Sequence, residues 1–426
     1  MNLLKRFIEG FLSRSGNYIF LASIFSKILS FLASIVVLQF VSDEDLGVVL
    51  YAYNIILFIL PLNGLGLPQS LIRFGSIAPT EAEKNHIFSL VIKKGTIASL
   101  VLIGLVIVFT FFVNFHIADT YFYLCVLSLA ILPSFLLESL KSQLRVLHNN
   151  KDFAWTELVQ NMVLLISVLA LSYYFKELGY AVALVIAPLL TYFIFFRKVK
   201  IDLQIDGNSG FKKIDLSFFT YGFFASLSNV LTQLLFVIDI LLLGYLLSDP
   251  EIITKYRYIS LIPLSLLFIP RGFMAADFVA ITERIRDKNY IQTYIKSYLL
   301  FFSAVSFVML LPCYFFQSEI LSLFGTDYIK FSDSFFLLIF GICGIFILRG
   351  LFGNLLSSLG KAHINYYIAL AGLLINLGLN YVLIPELGLK GAAITSSVLM
   401  WFTGLLSMVF FILLYRKYLL QLNEKI

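Results

Sequence analysis

Twelve runs of about twenty apolar residues follow one another along this chain, separated by short polar turns. Soluble domains carry about 25% charged residues. This chain carries 13%, against 60% hydrophobic, with a mean hydropathy of +0.93. In hydrocarbon the backbone N–H and C=O groups must be satisfied within the segment, so such runs fold as membrane-spanning helices. Expected spans are 16–41, 47–72, 93–114, 120–145, 153–175, 178–197, 216–246, 253–280, 291–316, 331–358, 363–384 and 389–415. The fold class expected is all-α and integral to the membrane. The longest polar interval, Arg197 to Asp215, is too short for a catalytic domain.

The basic residues orient the chain. With the N-terminus inside, the cytoplasmic segments carry 22 Lys and Arg and the opposite side five. This is the positive-inside bias, and it places both termini in the cytoplasm. The formal charge of +6 then reflects topology rather than nucleic-acid binding. The basic lead-in MNLLKRFIEGFLSRSGNY precedes an apolar run without a small-residue cleavage site, so a first membrane helix is expected rather than a cleaved signal peptide. Cys125, Cys313 and Cys343 all fall in apolar spans, are odd in number and form no CxxC, so they read as small hydrophobes, with no disulfide framework or zinc site.

The second half echoes the first. FLASIFSKILSFLASIVVLQFVSDED, from Phe20, lies over SLSNVLTQLLFVIDILLLGYLLSDPE, from Ser226, at an offset of 206. NKDF at Asn150 sits opposite GKAH at Gly360, and KELGYAVA at Lys176 opposite PELGLKGAA at Pro385, about 209 residues on. Six helices per half is even, so both halves share one orientation about an axis along the membrane normal. The expected organisation is a six-helix lobe over 1–200, a cytoplasmic linker at 201–215 and a second six-helix lobe over 216–426.

Charges inside the spans are the candidates for chemistry. Lys27, Arg271 and Arg349 each interrupt an apolar run, at a cost of about 2.5–3.5 kcal/mol near the bilayer centre, so each is expected to face a cavity or a partner. By helical rise all three lie near the middle or in the cytoplasmic half. Arg offers phosphate a bidentate contact and Lys a point charge, so together they suit an anion. Ser23, Lys27, Ser30 and Ser34 form one stripe on the first helix, and the repeat aligns Ser23 with Asn229 and Lys27 with Gln233. That face is expected to line the cavity; the alternative is interhelical hydrogen-bond glue. Structural ion pairs are the alternative for the arginines: Arg349 with Glu138, and Arg271 with Asp277 or Asp239. Asp239 and Glu138 are also candidates for a coupling proton or sodium ion. Arg73, at the cytoplasmic end of the second helix, either guides phosphate or serves topology. Pro61, Gly64, Gly66 and Pro68 break the second helix, and Pro263 and Pro270 the eighth. No GxxxxGK[ST] nucleotide loop occurs, so energy comes from a gradient or a partner.

The stretch GKAHINYYIALAGLLINLGLNYVLIPELGLKGAAITSSV, with Asn376 and Asn380 one turn apart, then Pro385, Gly388 and Gly391-Ala392-Ala393, resembles the helix 11–12 signature of polysaccharide-export proteins in the multidrug/oligosaccharidyl-lipid/polysaccharide exporter superfamily. GLGLPQSLIRF at Gly64 and VIDILLLGYLLSDPE fit the same pattern. Within that superfamily the chain looks most like a Wzx-type repeat-unit flippase. The resemblance implies a MATE-like fold in a bacterial inner membrane. It implies movement of undecaprenyl-pyrophosphate-linked oligosaccharide from the inner to the outer leaflet for O-antigen (lipopolysaccharide), capsule or exopolysaccharide. Membrane lipid, and a polymerase and chain-length proteins of the pathway, are the implied partners. No cofactor is implied beyond a proton or sodium gradient and the membrane potential, which favours anion exit by about 2.3 kcal/mol per charge per 100 mV. Two other readings remain. One is a cation-coupled multidrug exporter of the same fold. The other is a membrane polymerase, against which stand the short outer loops.

Overall fold

The computed structural model describes residues 17–199 and 216–423; the expected linker at 201–215 and the basic lead-in lie outside the described residues, as does the Ser23 side chain. Among the described residues every regular element is helical. In order these are α1 (Asn17–Val37), α2 (Asp43–Ile59), a 3₁₀ turn (Leu60–Gly66), α3 (Leu67–Ile77), α4 (Glu81–Thr110), α5 (Thr120–Ser128), α6 (Ile131–Val146) and α7 (Asn150–Phe195). Then follow α8 (Leu216–Leu247), α9 (Pro250–Ser265), α10 (Phe268–Glu283), α11 (Lys288–Phe315), α12 (Gln317–Ser322), α13 (Ser332–Gly344), a π turn (Ile345–Arg349), α14 (Gly350–Ser358), α15 (Ala362–Leu387) and α16 (Leu389–Asn423). Nine segments among the described residues are long and apolar enough to cross a membrane. One of them, Lys151–Lys198, is 48 residues long, about twice what a bilayer needs, and it breaks at Lys176 (φ 50°, ψ −126°).

Side-chain oxygens start the helices. Ser42 accepts from the Asp45 N–H at 3.2 Å, Thr80 from Glu83 at 3.2 Å, Asn149 from Asp152 at 3.1 Å and Asp287 from Tyr290 at 3.0 Å. Asp43, Glu44 and Asp45 fill the first turn of α2, where the helix dipole favours negative charge. One face of α4 exposes Ile97, Leu100, Val101, Leu105 and Val108, an apolar surface suited to lipid and not to water. Some buried hydroxyls return to carbonyls of their own helices, as Thr156 does to Asp152 and Thr191 to Ala187.

Contacts group the chain into two compact units, Tyr18–Thr254 and the residues from Lys255 on. Helix α8, which the internal repeat assigns to the second lobe, packs inside the first unit against α2, the 3₁₀ turn and α3. The reason is a run of small residues. A Cβ added to Gly66 would strike the Gly222 carbonyl, and Gly222 in turn lies against Ser70 and Gly66. The Ser70 hydroxyl donates to the Phe218 carbonyl at 2.6 Å. Gly66/Ser70 and Gly222/Ser226 are two small-xxx-small pairs, which let helix backbones approach closely where no hydrophobic effect drives association.

The two units repeat the same backbone devices, with a register that differs from the sequence alignment. At the end of α6, Asn149 N–H donates to Leu144 C=O at 2.8 Å, around His148 at φ 57°. At the end of α14, Lys361 N–H donates to Leu356 C=O at 2.9 Å, around Gly360 at φ 77°. Both are left-handed caps that satisfy terminal carbonyls. Further on, Lys176 matches Gly388 (φ 58°, ψ −135°). Three residues later, a Cβ on Gly179 would strike the Leu171 carbonyl, and one on Gly391 the Leu383 carbonyl. All these pairs are 212 apart, whereas the sequence expectation was 209 to 210. The shared Glu-Leu-Gly letters align three residues off the backbone equivalence.

The expected break in the second helix is real and sharp: Gly64, Leu65 and Gly66 all have positive φ. The break expected in the eighth is a short interruption at Leu266 and Leu267, between α9 and α10. Gly179→Ala and Gly391→Ala should each destabilise the protein by about 2–3 kcal/mol through overpacking. Gly378→Ala, whose Cβ meets nothing within 4 Å, should be neutral or stabilising by up to about 1 kcal/mol. Thermal unfolding midpoints in detergent distinguish them; equal midpoints for all three would contradict the close backbone approach.

Candidate functional site

The broken second helix opens a cavity of about 480 Å³ inside the first unit. Its polar lining is Asn63, Gln69, Ser134, Glu138, Asn229 and Gln233, and its apolar walls are Leu57, Leu60, Pro61, Pro68 and Phe135. Three elements meet there. The turn Leu60–Gly66 leads into α3 and supplies Gln69. Helix α6 supplies Ser134 and Glu138, one turn apart. Helix α8 supplies Asn229 and Gln233, also one turn apart, so each pair shares a helix face.

Asn63 holds the break in place. Its side-chain N–H donates to the Ile131 carbonyl at 2.9 Å, and its carbonyl accepts from the Ser99 hydroxyl at 2.9 Å, tying the turn to α6 and α4. Gly64 and Gly95 pinch the Phe135 ring between them, since a Cβ on either would strike it. The amides of Gln69, Asn229 and Gln233 have no hydrogen-bond partner among the described residues, so donors and acceptors of all three remain open.

Behind the cavity runs an ion network. Lys141 sits 3.7 Å from Glu138 and 2.9 Å from Glu157, and its side chain is only 13% exposed. Asn161, one turn past Glu157 on α7, donates to the Ser26 hydroxyl at 2.7 Å, and Ser26 donates to the Glu157 backbone carbonyl at 3.3 Å. The polar chain thus links α1 and α7, and through Lys141 reaches the acid in the cavity wall.

The remaining sequence candidates take other places. Helix α1 packs through Ser26, Ala33 and Val37, all buried. Ser30, Ser34 and Lys27 stand roughly 40°, 80° and 100° round the helix from Ser26. They are on the flank opposite the exposed Phe25 and Leu32. Lys27 is exposed and is not part of the cavity lining. Arg73 is exposed and stacks on Tyr221, 4.4 Å from the ring centre. Asp239 is buried in α8 at 5% exposure.

Arg271 and Arg349 belong to the second unit. Arg271 is exposed on α10; the nearby Asp277 is buried and accepts from the Tyr294 hydroxyl at 3.0 Å. Arg349 ends the π turn, a feature that often marks functional positions. Its guanidinium donates to the Asn365 carbonyl oxygen at 3.0 Å and to the Ser407 hydroxyl. Its hydrogen-bond partners are therefore neutral, and Glu138, the sequence candidate for pairing with it, pairs with Lys141 instead. The sequence candidates Asn229, Gln233 and Glu138 come together in one cavity. The four cations do not line it.

A family model described as polysaccharide biosynthesis protein matches residues 12–253. The chain belongs to that family. A second model, MatE, matches residues 225–382. The fold is shared with a lipid II flippase MurJ in an inward closed conformation, at a TM-score of 0.72, 18% identity, 92% of this chain and 87% of that one. It is shared too with an inward-facing multidrug resistance MATE family transporter of the MOP superfamily, at a TM-score of 0.71, 14% identity, 92% of this chain and 95% of that one. No curated protein matches the chain significantly in sequence. The superfamily resemblance drawn from the last two spans is thus shown, with a MATE- and MurJ-like fold.

In this polysaccharide biosynthesis protein the sequence reading missed Gln69, Ser134, Lys141 and Glu157. Lys141 is one of the 22 basic residues assigned to the cytoplasmic side, and the structure places it within α6, held by two acids. The available signal was its i,i+3 spacing from Glu138. Lys141→Met, which strands two carboxylates, should lower stability by about 1–2 kcal/mol, a buried-pair loss discounted because both acids are partly exposed. Adding Glu157→Gln should recover part of it. Chemical or thermal unfolding of the purified single and double variants checks this; additive losses would contradict a shared cation.

Proposed function

We propose that the chain is a flippase that moves undecaprenyl-pyrophosphate-linked oligosaccharide repeat units from the cytoplasmic to the outer leaflet by alternating access, for assembly of a surface polysaccharide such as O-antigen or capsule. The observation that carries this reading is membership of the polysaccharide biosynthesis family over residues 12–253 in an all-helical, membrane-length chain. The likeness in fold to a lipid II flippase supports a lipid-linked substrate.

In this reading the protein has twelve spans in two six-helix lobes, 1–200 and 216–426, with both termini cytoplasmic, in a bacterial inner membrane. The nine long spans support the count when α7 is divided at Lys176 and α1 and α8 are added, since both carry shorter apolar stretches. Lys27, Arg271, Arg349 and Arg73 contact pyrophosphate, with Ser23, Ser30, Asn229 and Gln233 as neutral substrate contacts. Arg349 supports this role best: it is held by neutral groups, so its charge stays available to an anion. Asp239 and Glu138 take part in ion coupling. The polymerase and chain-length proteins of the pathway are its partners.

In a host whose surface polysaccharide depends on this chain, Lys27→Ala, Arg271→Ala and Arg349→Ala should each leave lipid-linked repeat units on the cytoplasmic leaflet. Each should cut surface polymer about tenfold, the scale of one charge-assisted contact. Normal polymer in all three, at normal expression, would sink the phosphate assignment. A multidrug exporter would instead confer dye efflux in a transporter-deficient host. Coupling has its own readout: flipping in proteoliposomes should fall when proton and sodium gradients are both collapsed, and Asp239→Asn should remove that dependence. Unchanged flipping would rule out ion coupling.

A further inference from the structure

We infer that the cavity between the broken second helix, α6 and α8 is a subsite that reads sugar hydroxyls and favours uncharged or amino-bearing sugars over sugar acids. The inference rests on the flippase reading above and specifies which part of the substrate this cavity takes.

The lining carries the argument. Gln69, Asn229 and Gln233 present three primary amides with no partner among the described residues, and Ser134 adds a hydroxyl. An amide offers a carbonyl acceptor beside an N–H₂ donor. Two neighbouring ring hydroxyls, each able to donate and to accept, match that arrangement. Gln69 and Gln233 are partly buried and Asn229 is exposed, so three amides bordering one accessible space offer their hydrogen bonds to a polar occupant.

Charge decides which part of the substrate fits. A pyrophosphate presents only acceptors and negative charge, and needs cations around it. No Lys or Arg lines this cavity, while the Glu138 carboxylate does. Lys141 lies behind that acid and is shared with Glu157, so two carboxylates face one cation. The local field repels pyrophosphate and equally repels a uronate, whereas a neutral ring is tolerated and an amino group is attracted. A lipophilic cation would be attracted by Glu138 as well, but the sole aromatic in the lining, Phe135, is fully buried and offers it no exposed ring face. The volume of about 480 Å³ lies in the range of small-molecule sites.

The test uses the full-length protein in nanodiscs and three probes: undecaprenyl pyrophosphate alone, the same lipid carrying N-acetylglucosamine, and the same lipid carrying glucuronic acid. Binding is read by native mass spectrometry as the ratio of each glycolipid to the bare lipid in one sample, so a general loss of folded protein cancels. The N-acetylglucosamine lipid should bind about tenfold better than the bare lipid, the equivalent of one or two net hydrogen bonds. The glucuronate lipid should not. Asn229→Leu/Gln233→Leu, and separately Gln69→Leu, should bring the first ratio towards unity. Glu138→Gln should raise the glucuronate ratio. Equal wild-type binding of bare and neutral glycolipid, or an unchanged ratio in the amide variants, overturns the subsite while leaving the flippase reading intact. Failure of all three lipids to bind overturns the flippase reading and the subsite with it.

Discussion

The first unit depends on how closely α3 and α8 approach each other. In a bilayer, lipid tails are as apolar as leucine, so burial alone does not hold two helices together, and packing and hydrogen bonds must do so. Gly66, Ser70, Gly222 and Ser226 remove side-chain bulk from that seam, and the Ser70–Phe218 hydrogen bond crosses it. The same stretch of chain carries the break at Gly64–Gly66. A continuous second helix would keep its backbone closed and carry Gln69 round on an uninterrupted turn. The broken one re-aims α3 so that its small residues meet α8 and Gln69 meets the cavity. Seam and cavity therefore come from a single departure from helical geometry, and Asn63, anchored to α6 and α4, pins it.

Charges in the molecule follow a second constraint, that a buried ion needs either a counter-ion or a job. Lys141 takes the first course, shared between Glu138 and Glu157. Arg349 has neutral partners instead. Asn365 and Ser407 orient its guanidinium but leave the charge intact, and Asn365 is itself braced by the Gly353 carbonyl at 2.7 Å and the Ser357 hydroxyl at 3.1 Å. A neutral cradle of this kind fixes direction without cancelling charge, as an anion site requires.

Helix positions were legible in the sequence because bilayer thickness and the fixed helical rise together set the length of an apolar run. Asn229, Gln233 and Glu138 were legible because polar residues in apolar runs stand out. Register was not. The Glu-Leu-Gly letters around Gly179 and Gly388 invited an offset of 209, whereas the turn conformation belongs to Lys176 and Gly388, 212 apart. A lysine occupies a positive φ that glycine fills in the other half, so residue identity hides the equivalence. Lys141 was hidden for another reason: a lysine near the cytoplasmic end of a span reads as a topology signal, whereas Glu138 and Glu157 hold it. Gln69 was hidden because its direction depends on three backbone angles at the break, which no periodicity records.

A lipid-linked glycan, the substrate proposed above, presents two surfaces that want opposite environments, and in that reading cations and amides belong on different elements. A pyrophosphate is stabilised by fixed positive charge; a neutral sugar gains from groups that both donate and accept. Placing arginines among open amides beside Glu138 would let the arginine and the acid neutralise each other, and both recognitions would weaken. The structure keeps the acid paired within its own unit by Lys141, keeps cations out of the amide-lined space, and holds Arg349 with neutral partners. In the flippase reading, pairing Glu138 locally would preserve two recognition chemistries in one chain. The cation that achieves it, Lys141, is held between Glu138 in the cavity wall and Glu157 on α7, so in that reading it acts on the cavity by setting the charge of that acid.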